Sequence, residues 1–254
     1  MSEYEALKVT AWLEGAVILD RNPPLDGVLS AAIIESPRWR KKHFKEVRRF
    51  KRNVTKYGRE DAEAFWKEQG WEVPQKHFVP LAVWGHGHGH GLWVYCSSWA
   101  LYDEQARGIM HFNHRFDAEL AERVITPPRK SKKIQTGKGE FKSEHIPFQY
   151  RVMEKITWHV RGDAEVILEV LSEVRAIAKK RNRGYGGVLK WTVENVEDDW
   201  SVFTPNGELM RPVPVDLLMA MEVEGEFEYA FTTYRPPYWD GRWVARCAVR
   251  GRRR

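Results

Sequence analysis

Apolar and polar residues alternate from Leu7 to Asp20 (LKVTAWLEGAVILD), which predicts a first strand with Gly15 as a bulge. Arg21-Asn22-Pro23-Pro24 turns the chain. Leu25, Val28, Leu29, Ala32 and Ile33 then fall at helical spacing, predicting a helix from Leu25 to Glu35. Arg59 to Gln69 reads as a charge-balanced helix stopped at Gly70, and Asp117 to Val124 as a short one. Phe78–Trp84 and Leu92–Ser97 read as the arms of a hairpin, and Phe148–Val160 alternates into a third core strand. Asp163 is a helix N-cap residue. Behind it Ile167, Val170, Leu171, Val174, Ile177 and Ala178 make one apolar helical face, so the helix is expected to run on into Lys179, Lys180, Arg181 and Arg183. Gly184-Tyr185-Gly186-Gly187 then turns tightly into a strand, Val188–Val196. Glu197-Asp198-Asp199 is a solvated turn, and Asn206-Gly207 turns a hairpin between Trp200–Phe203 and Leu209–Val213, with Pro212 and Pro214 marking its edge. The aromatic tail (Tyr229, Phe231, Tyr234, Tyr238, Trp239, Trp243) predicts a small C-terminal β region with a disordered basic tip at Arg250–Arg254.

Composition adds a partner class. The chain has 254 residues and twelve tryptophans, enough for a folded core, and a net charge of +6 that suits a polyanion. Cys96 and Cys247 lie far apart with no CxxC spacing, so neither a zinc site nor a disulfide scaffold is expected. No cofactor motif is found. No apolar run reaches membrane-spanning length, and the start Met1-Ser2-Glu3 is not a signal peptide, so reduced thiols and a cytoplasmic location are expected. His86, His88 and His90 alternate with glycines and share one face if extended. They lack a carboxylate or cysteine to orient them, so a glycine-rich hairpin loop is preferred to a metal site.

Two further stretches concentrate positive charge. Arg38, Arg40, Lys41, Lys42, Lys45, Arg48 and Arg49 crowd into 38–57 with Trp39, Phe44, Val47 and Phe50 as anchors, against Glu46 alone. Such a one-sided run is either a solvated helix face or a phosphate-tracking surface; RNA contact is the reading adopted here. Thr126–Lys142 is polar and glycine-punctuated and carries Lys130, Lys132, Lys133 and Lys138. A loop of that length is either a functional insertion or a disordered surface segment.

The glycine turn is the organising stretch. A dinucleotide or P-loop reading needs strand, loop, then helix, because phosphate sits on the helix N-terminus; here the order is reversed. Arg183-Gly184-Tyr185-Gly186 matches half of an RNA-recognition signature, which then wants aromatics where Gly187 and Lys190 stand. A basic helix end with an ordinary glycine stop is the bland alternative. Helix, Lys-Lys-Arg-x-Arg-Gly-Tyr-Gly and Val-rich strand together resemble the glycine-rich loop of the RAMP superfamily of CRISPR proteins. Asp199-Trp200-Ser201, Pro205–Leu209 and Arg211–Val215 resemble the subfamily of type IV effector complexes, with the likeness strongest over about residues 8–36 and 150–216.

That resemblance implies an α+β, ferredoxin-like (RRM-like) core over 1–196, with insertions over about 37–147, and a C-terminal β region over 197–254. It implies a loop that joins the second helix to the fourth strand and holds crRNA, in a subunit capping the 5′ handle. Lys179, Lys180, Arg181, Asn182 and Arg183 would meet phosphates, and Gly184, Gly186 and Gly187 would let the backbone approach. Tyr185 and Trp191 would stack a base or pack in the core, with core preferred for Trp191. Ser97 and Ser98 would lie on the RNA-facing side with hydroxyls available to phosphate, and 126–147 would correspond to an inserted thumb. The implied partners are crRNA, a backbone filament subunit and a large or small subunit near the handle; whether target DNA beside the protospacer is also touched stays open.

Some RAMP relatives cleave RNA, which requires a base for a 2′-hydroxyl, an acid for the leaving oxygen and a cation for the phosphorane. His43 is the candidate, with Lys56 or Tyr57 assisting; His77, His111, His114, His145 and His159 form no recognisable pairing. A non-catalytic subunit is the reading adopted. A crRNA endoribonuclease and an RNA-binding protein outside CRISPR are the alternatives.

Overall fold

The computed structural model describes residues 4–19, 22–39, 79–85, 92–114 and 144–253. Its strands are β1 (Glu5–Leu13), β2 (Ala16–Val17), β3 (Val83–Trp84), β4 (Val94–Tyr95), β5 (Ala106–His114), β6 (Glu144–Val152), β7 (Lys155–Gly162), β8 (Val188–Asn195), β9 (Val213–Pro214), β10 (Gly225–Thr233) and β11 (Val244–Arg253). Among the described residues the helices are α1 (Leu25–Glu35), α2 (Ala164–Ser172) and α3 (Val215–Ala220), with residues 37–39 also helical. Among the described residues the class is α+β, with antiparallel sheets and few helices.

Strand β1 is central because every second side chain on it is apolar: Leu7, Val9 and Ala11 are fully buried and Leu13 nearly so. It pairs antiparallel with β7 on one side and β8 on the other. Ile156, Trp158 and Val160 of β7 share its apolar face, as do Trp191 and Val193 of β8. Leu25, Leu29 and Ile33 of α1 and Ile167, Val170 and Leu171 of α2 cover that face. Each fully buried side chain of this size contributes about 1.5–3 kcal/mol before conformational entropy is subtracted. Outside β7 the chain makes single bridges from Leu81 to Gly162, Ser97 to Val160 and Leu101 to Thr157, an irregular fourth edge.

Helix α1 spans the residues its pattern predicts, and α2 starts where Asp163 accepts a hydrogen bond from the Val166 amide (3.0 Å). The α2 end differs from expectation. The helix stops at Ser172 and 174–179 is irregular, with Ala176 bridging Gly187, Ala178 left-handed and Lys179 bridging Ile18. The apolar spacing of Val174, Ile177 and Ala178 survives because those side chains still pack on the core. Their backbone hydrogen bonds have gone to other partners: the Trp191 indole N–H donates to the Val174 carbonyl (3.0 Å), and the Val188 amide to Arg175 (2.9 Å).

Both long predicted strands are also broken. The 7–20 run divides at Glu14–Gly15 and the 148–160 run at Met153–Glu154, where the Leu13 amide donates to Glu154 (2.9 Å). The two halves bend together into a second sheet, β2-β6-β5, whose β5–β6 hairpin extends to His114 and Glu144. Alternation passes through both breaks because it records facing, and only the partner sheet changes.

The C-terminal unit has its own core, in which Val202, Phe203, Leu209, Val213, Leu217 and Cys247 pack with Val94 and Cys96 of the β3–β4 hairpin region. The turn at Asn206-Gly207 forms as predicted, with Phe203 bridging Leu209. Arg250–Arg253, expected to be disordered, instead belong to β11: Arg252 faces Glu226 and Arg250 faces Glu228, placing opposite charges across the pair. Gly251, at φ 129, approaches the Glu226 carbonyl where any Cβ would overlap it.

Candidate nucleic-acid interface

The glycine loop is shaped by backbone conformations that few residues adopt. Ala178 and Lys180 have φ of 64 and 58, Gly184 and Gly186 have 84 and 71, and Arg181–Arg183 form one 3-10 turn. Gly186 donates to the Ala16 carbonyl and accepts from the Ile177 amide (2.9 Å each); a Cβ there would overlap the Ile177 carbonyl oxygen. The loop is therefore stitched to β2 at its base, while Arg181, Asn182, Arg183 and Gly184 project as an exposed tip and Lys179 is exposed beside them.

Not every loop cation is equally accessible. Arg181 donates two hydrogen bonds to Glu35 at the end of α1 (2.9 and 3.1 Å), which lowers the Glu35 carboxyl and raises the guanidinium. Lys180 is half-buried, its ammonium 4.5 Å from the Phe148 ring centre and 5.1 Å from that of Phe112. Tyr185 packs edge-on against the same Phe112 (6.0 Å), so it braces the loop against the β5–β6 hairpin. Trp191 packs against the main core, near-parallel to Trp158 at 6.0 Å. Sequence reasoning missed this aromatic clasp, because Phe148 read only as a strand residue and Phe112 carried no signal of its own.

Ser97 and Ser98 require a correction: both are fully buried, and neither offers a hydroxyl to phosphate. The Ser97 hydroxyl accepts from the Leu25 amide (3.0 Å), capping α1 where Pro24 supplies no side-chain cap. The Ser98 hydroxyl accepts from the His159 amide (2.9 Å) and donates to the Trp99 carbonyl (2.9 Å). A helix start and a strand beside an irregular edge leave backbone donors unpaired, and these serines satisfy them. Arg38 pairs with Glu169 of α2 and lies over the Trp39 ring (5.4 Å). Arg40, Lys41, Lys42, His43, Lys45, Arg48, Arg49, the loop lysines Lys130, Lys132, Lys133 and Lys138, and the His86–His90 repeat lie outside the described residues.

The sheet face turned away from the helices carries a second cluster. Residues directly opposite one another across β7, β1 and β8 make the rows Lys155–Trp12–Lys190, Thr157–Thr10–Thr192 and His159–Lys8–Glu194. The two ammonium groups of the first row stand 5.2 and 4.9 Å from the Trp12 ring centre. In the last row Lys8 pairs with Glu194 (3.3 Å) and Trp200 stacks on His159 (4.7 Å). Burial, with Lys8 nearby, lowers the His159 pKa. The only advance signal for these rows was the Lys8–Trp12 alternation; their cross-strand partners lie far along the chain.

The remaining chemistry is structural. Burial pushes the Cys96 thiol up to about 11 and Cys247 to about 12, holding both protonated and unreactive. His111 and His145 stack at 4.4 Å across the β5–β6 hairpin, a pairing invisible in the sequence. Among the described residues there is no cluster of three or more potential metal ligands, and no helix is long and apolar enough to cross a membrane.

The model of the family CRISPR type IV associated protein Csf3 matches residues 95–249, which include β7, α2, the glycine loop, β8 and most of the C-terminal unit. The chain belongs to that family. No curated protein matches it.

Proposed function

From membership of the Csf3 family, we propose that this protein is a non-catalytic RNA-binding subunit of a type IV CRISPR ribonucleoprotein, holding the repeat-derived 5′ handle of crRNA on its glycine loop. The observation that carries this reading is the exposed tip itself: Arg181, Asn182, Arg183 and Lys179 surround Gly184 in a turn whose base is pinned to β2. Cations on a fixed backbone neutralise phosphates with little ordering entropy, and a residue without Cβ lets a strand approach its amides. Lys180 and Tyr185 contribute differently, by docking the loop on the β5–β6 hairpin. Ser97 and Ser98 leave the proposed site because they are buried.

The strand order is consistent with a ferredoxin-like RAMP core. β8-β1-β7 with antiparallel neighbours, followed by the irregular 79–101 edge, is the order a β-α-β-β-α-β unit takes. In such a complex the chain would cap the filament of backbone subunits and sit near the large or small subunit and the target duplex.

The test is charge reversal at Lys179 and Arg183, sparing Arg181 because its guanidinium is already occupied by Glu35. Coexpressed with a repeat-containing transcript and its complex, Lys179→Glu with Arg183→Glu should lose guide RNA while keeping its circular dichroism and melting temperature. Guide recovery equal to the unmodified protein would overturn the site.

A further inference from the structure

We infer that the Lys155–Trp12–Lys190 row is a second nucleic-acid site, stacking one unpaired base of a single-stranded RNA on the Trp12 indole and holding adjacent phosphates on the two lysines. The inference rests on the reading of the protein as RNA-binding, but on residues separate from the glycine loop.

Alternation along β1 sends Leu7, Val9, Ala11 and Leu13 into the core and Trp12 to the opposite face. Trp158, by contrast, is fully buried and its indole N–H donates to the Pro23 carbonyl (2.8 Å). Trp12 is half-buried, and its indole nitrogen has no hydrogen-bond partner among the described residues. No hydrogen bond among the described residues therefore anchors the ring. Lys155 and Lys190 are both exposed, and among the described residues neither forms an ion pair. Glu194, an acid of this face, is engaged by Lys8 two rows away.

An aromatic face flanked by uncompensated cations is what single-stranded nucleic acid requires: stacking tolerates any base, while phosphates take the charges. The lysine Cα atoms stand one strand either side of Trp12, about 10 Å apart. Their flexible stems bring the ammonium groups over the ring or out to phosphates beside it. The neighbouring Thr157 and Thr192 are half-buried and add uncharged hydroxyls, suited to a base edge or a 2′-hydroxyl. The far end of the face is closed by Trp200 on His159, which directs a strand toward the Trp12 end. That end adjoins the glycine loop: β8 begins directly after Gly187, whose carbonyl accepts from the Glu14 amide (2.9 Å). An RNA leaving Arg183 and Gly184 meets Lys190 next.

The experiment measures fluorescence anisotropy of the full chain with a labelled short single-stranded RNA and with an abasic strand of the same length. Trp12→Ala should weaken the base-bearing RNA by roughly 5- to 100-fold and leave the abasic strand unchanged. Trp12→Phe should restore most of the loss. Removing Lys155 and Lys190 together should weaken both strands and reduce the logarithmic salt slope by about 0.7 per lysine. Unchanged affinities in Trp12→Ala, or equal losses on both strands, would overturn the inference. If RNA is still lost on charge reversal at Lys179 and Arg183, the glycine-loop reading survives that result. Failure of the unmodified protein to bind either strand would overturn the RNA reading itself. Should Trp12→Ala unfold, the Lys155→Ala, Lys190→Ala pair decides: unaltered RNA affinity there removes the site.

Discussion

The two ends of helix α1 each bind an arginine from elsewhere in the chain, under opposite physical conditions. Near its start, Asp26 meets Arg211 at 3.2 Å, with both side chains fully buried. Arg211 also donates to the Tyr234 carbonyl (2.7 Å) and to the carbonyls of Ser97 (3.2 Å) and Tyr95, while the Tyr238 hydroxyl donates to Asp26 (2.9 Å). At its end, Glu35 meets Arg181 at 2.9 Å with both groups largely in solvent. The first pair ties the C-terminal unit to the main core. The second lies at the tip of the proposed RNA loop. In water a carboxylate is readily exchanged for another anion, so Glu35 occupies Arg181 without committing it. In the interior neither partner has an alternative, and exchange is blocked by the desolvation each charge would suffer alone.

The largest expected effect is at the buried end. Arg211→Met strands Asp26 without its cation and should destabilise the protein by about 3–5 kcal/mol, measured by urea unfolding. Adding Asp26→Leu should recover much of that loss, because the penalty arises from the orphaned charge. A double variant no more stable than Arg211→Met would break the contrast. At the exposed end, Glu35→Gln should change stability by less than about 1 kcal/mol. Because it frees Arg181, guide RNA affinity should hold or rise; a clear fall would mean that Glu35 positions the loop instead of marking a phosphate site.

The smallest effect is on acidification. Arg181 lowers the Glu35 pKa by its hydrogen bonds, so this pair stabilises the fold above the ordinary carboxylate range and loses that contribution as pH falls through the lowered value. Burial raises the Asp26 pKa despite Arg211, so acid favours its protonation in the fold and removes no stabilisation there. Arg211 keeps its carbonyl acceptors in either state. Amide protection factors near Arg181, corrected for the intrinsic pH dependence of exchange, should therefore fall as pH drops below the ordinary carboxylate range, before those near Arg211 do; the reverse order would contradict the assignment.

Wherever one local signal suffices, the sequence alone determined the outcome. Period-3.6 spacing bounded α1 at Leu25–Glu35, the Asp163 side chain started α2, and Asn206-Gly207 turned its hairpin. The type IV resemblance was also legible, in the basic glycine loop and the 199–215 motifs, and the family match over 95–249 bears it out. Tertiary structure decided whatever depends on partners. It ended α2 at Ser172 because Val174–Lys179 found hydrogen bonds with Gly186–Val188 and Ile18. It divided two evenly alternating runs between sheets, and it buried Ser97 and Ser98, whose hydroxyls answer backbone donors on α1 and β7. It also drew Lys155 and Lys190 to either side of Trp12. Alternation and helical spacing state which way a side chain faces; what it faces is a long-range fact, set when distant strands pair and water is excluded between them.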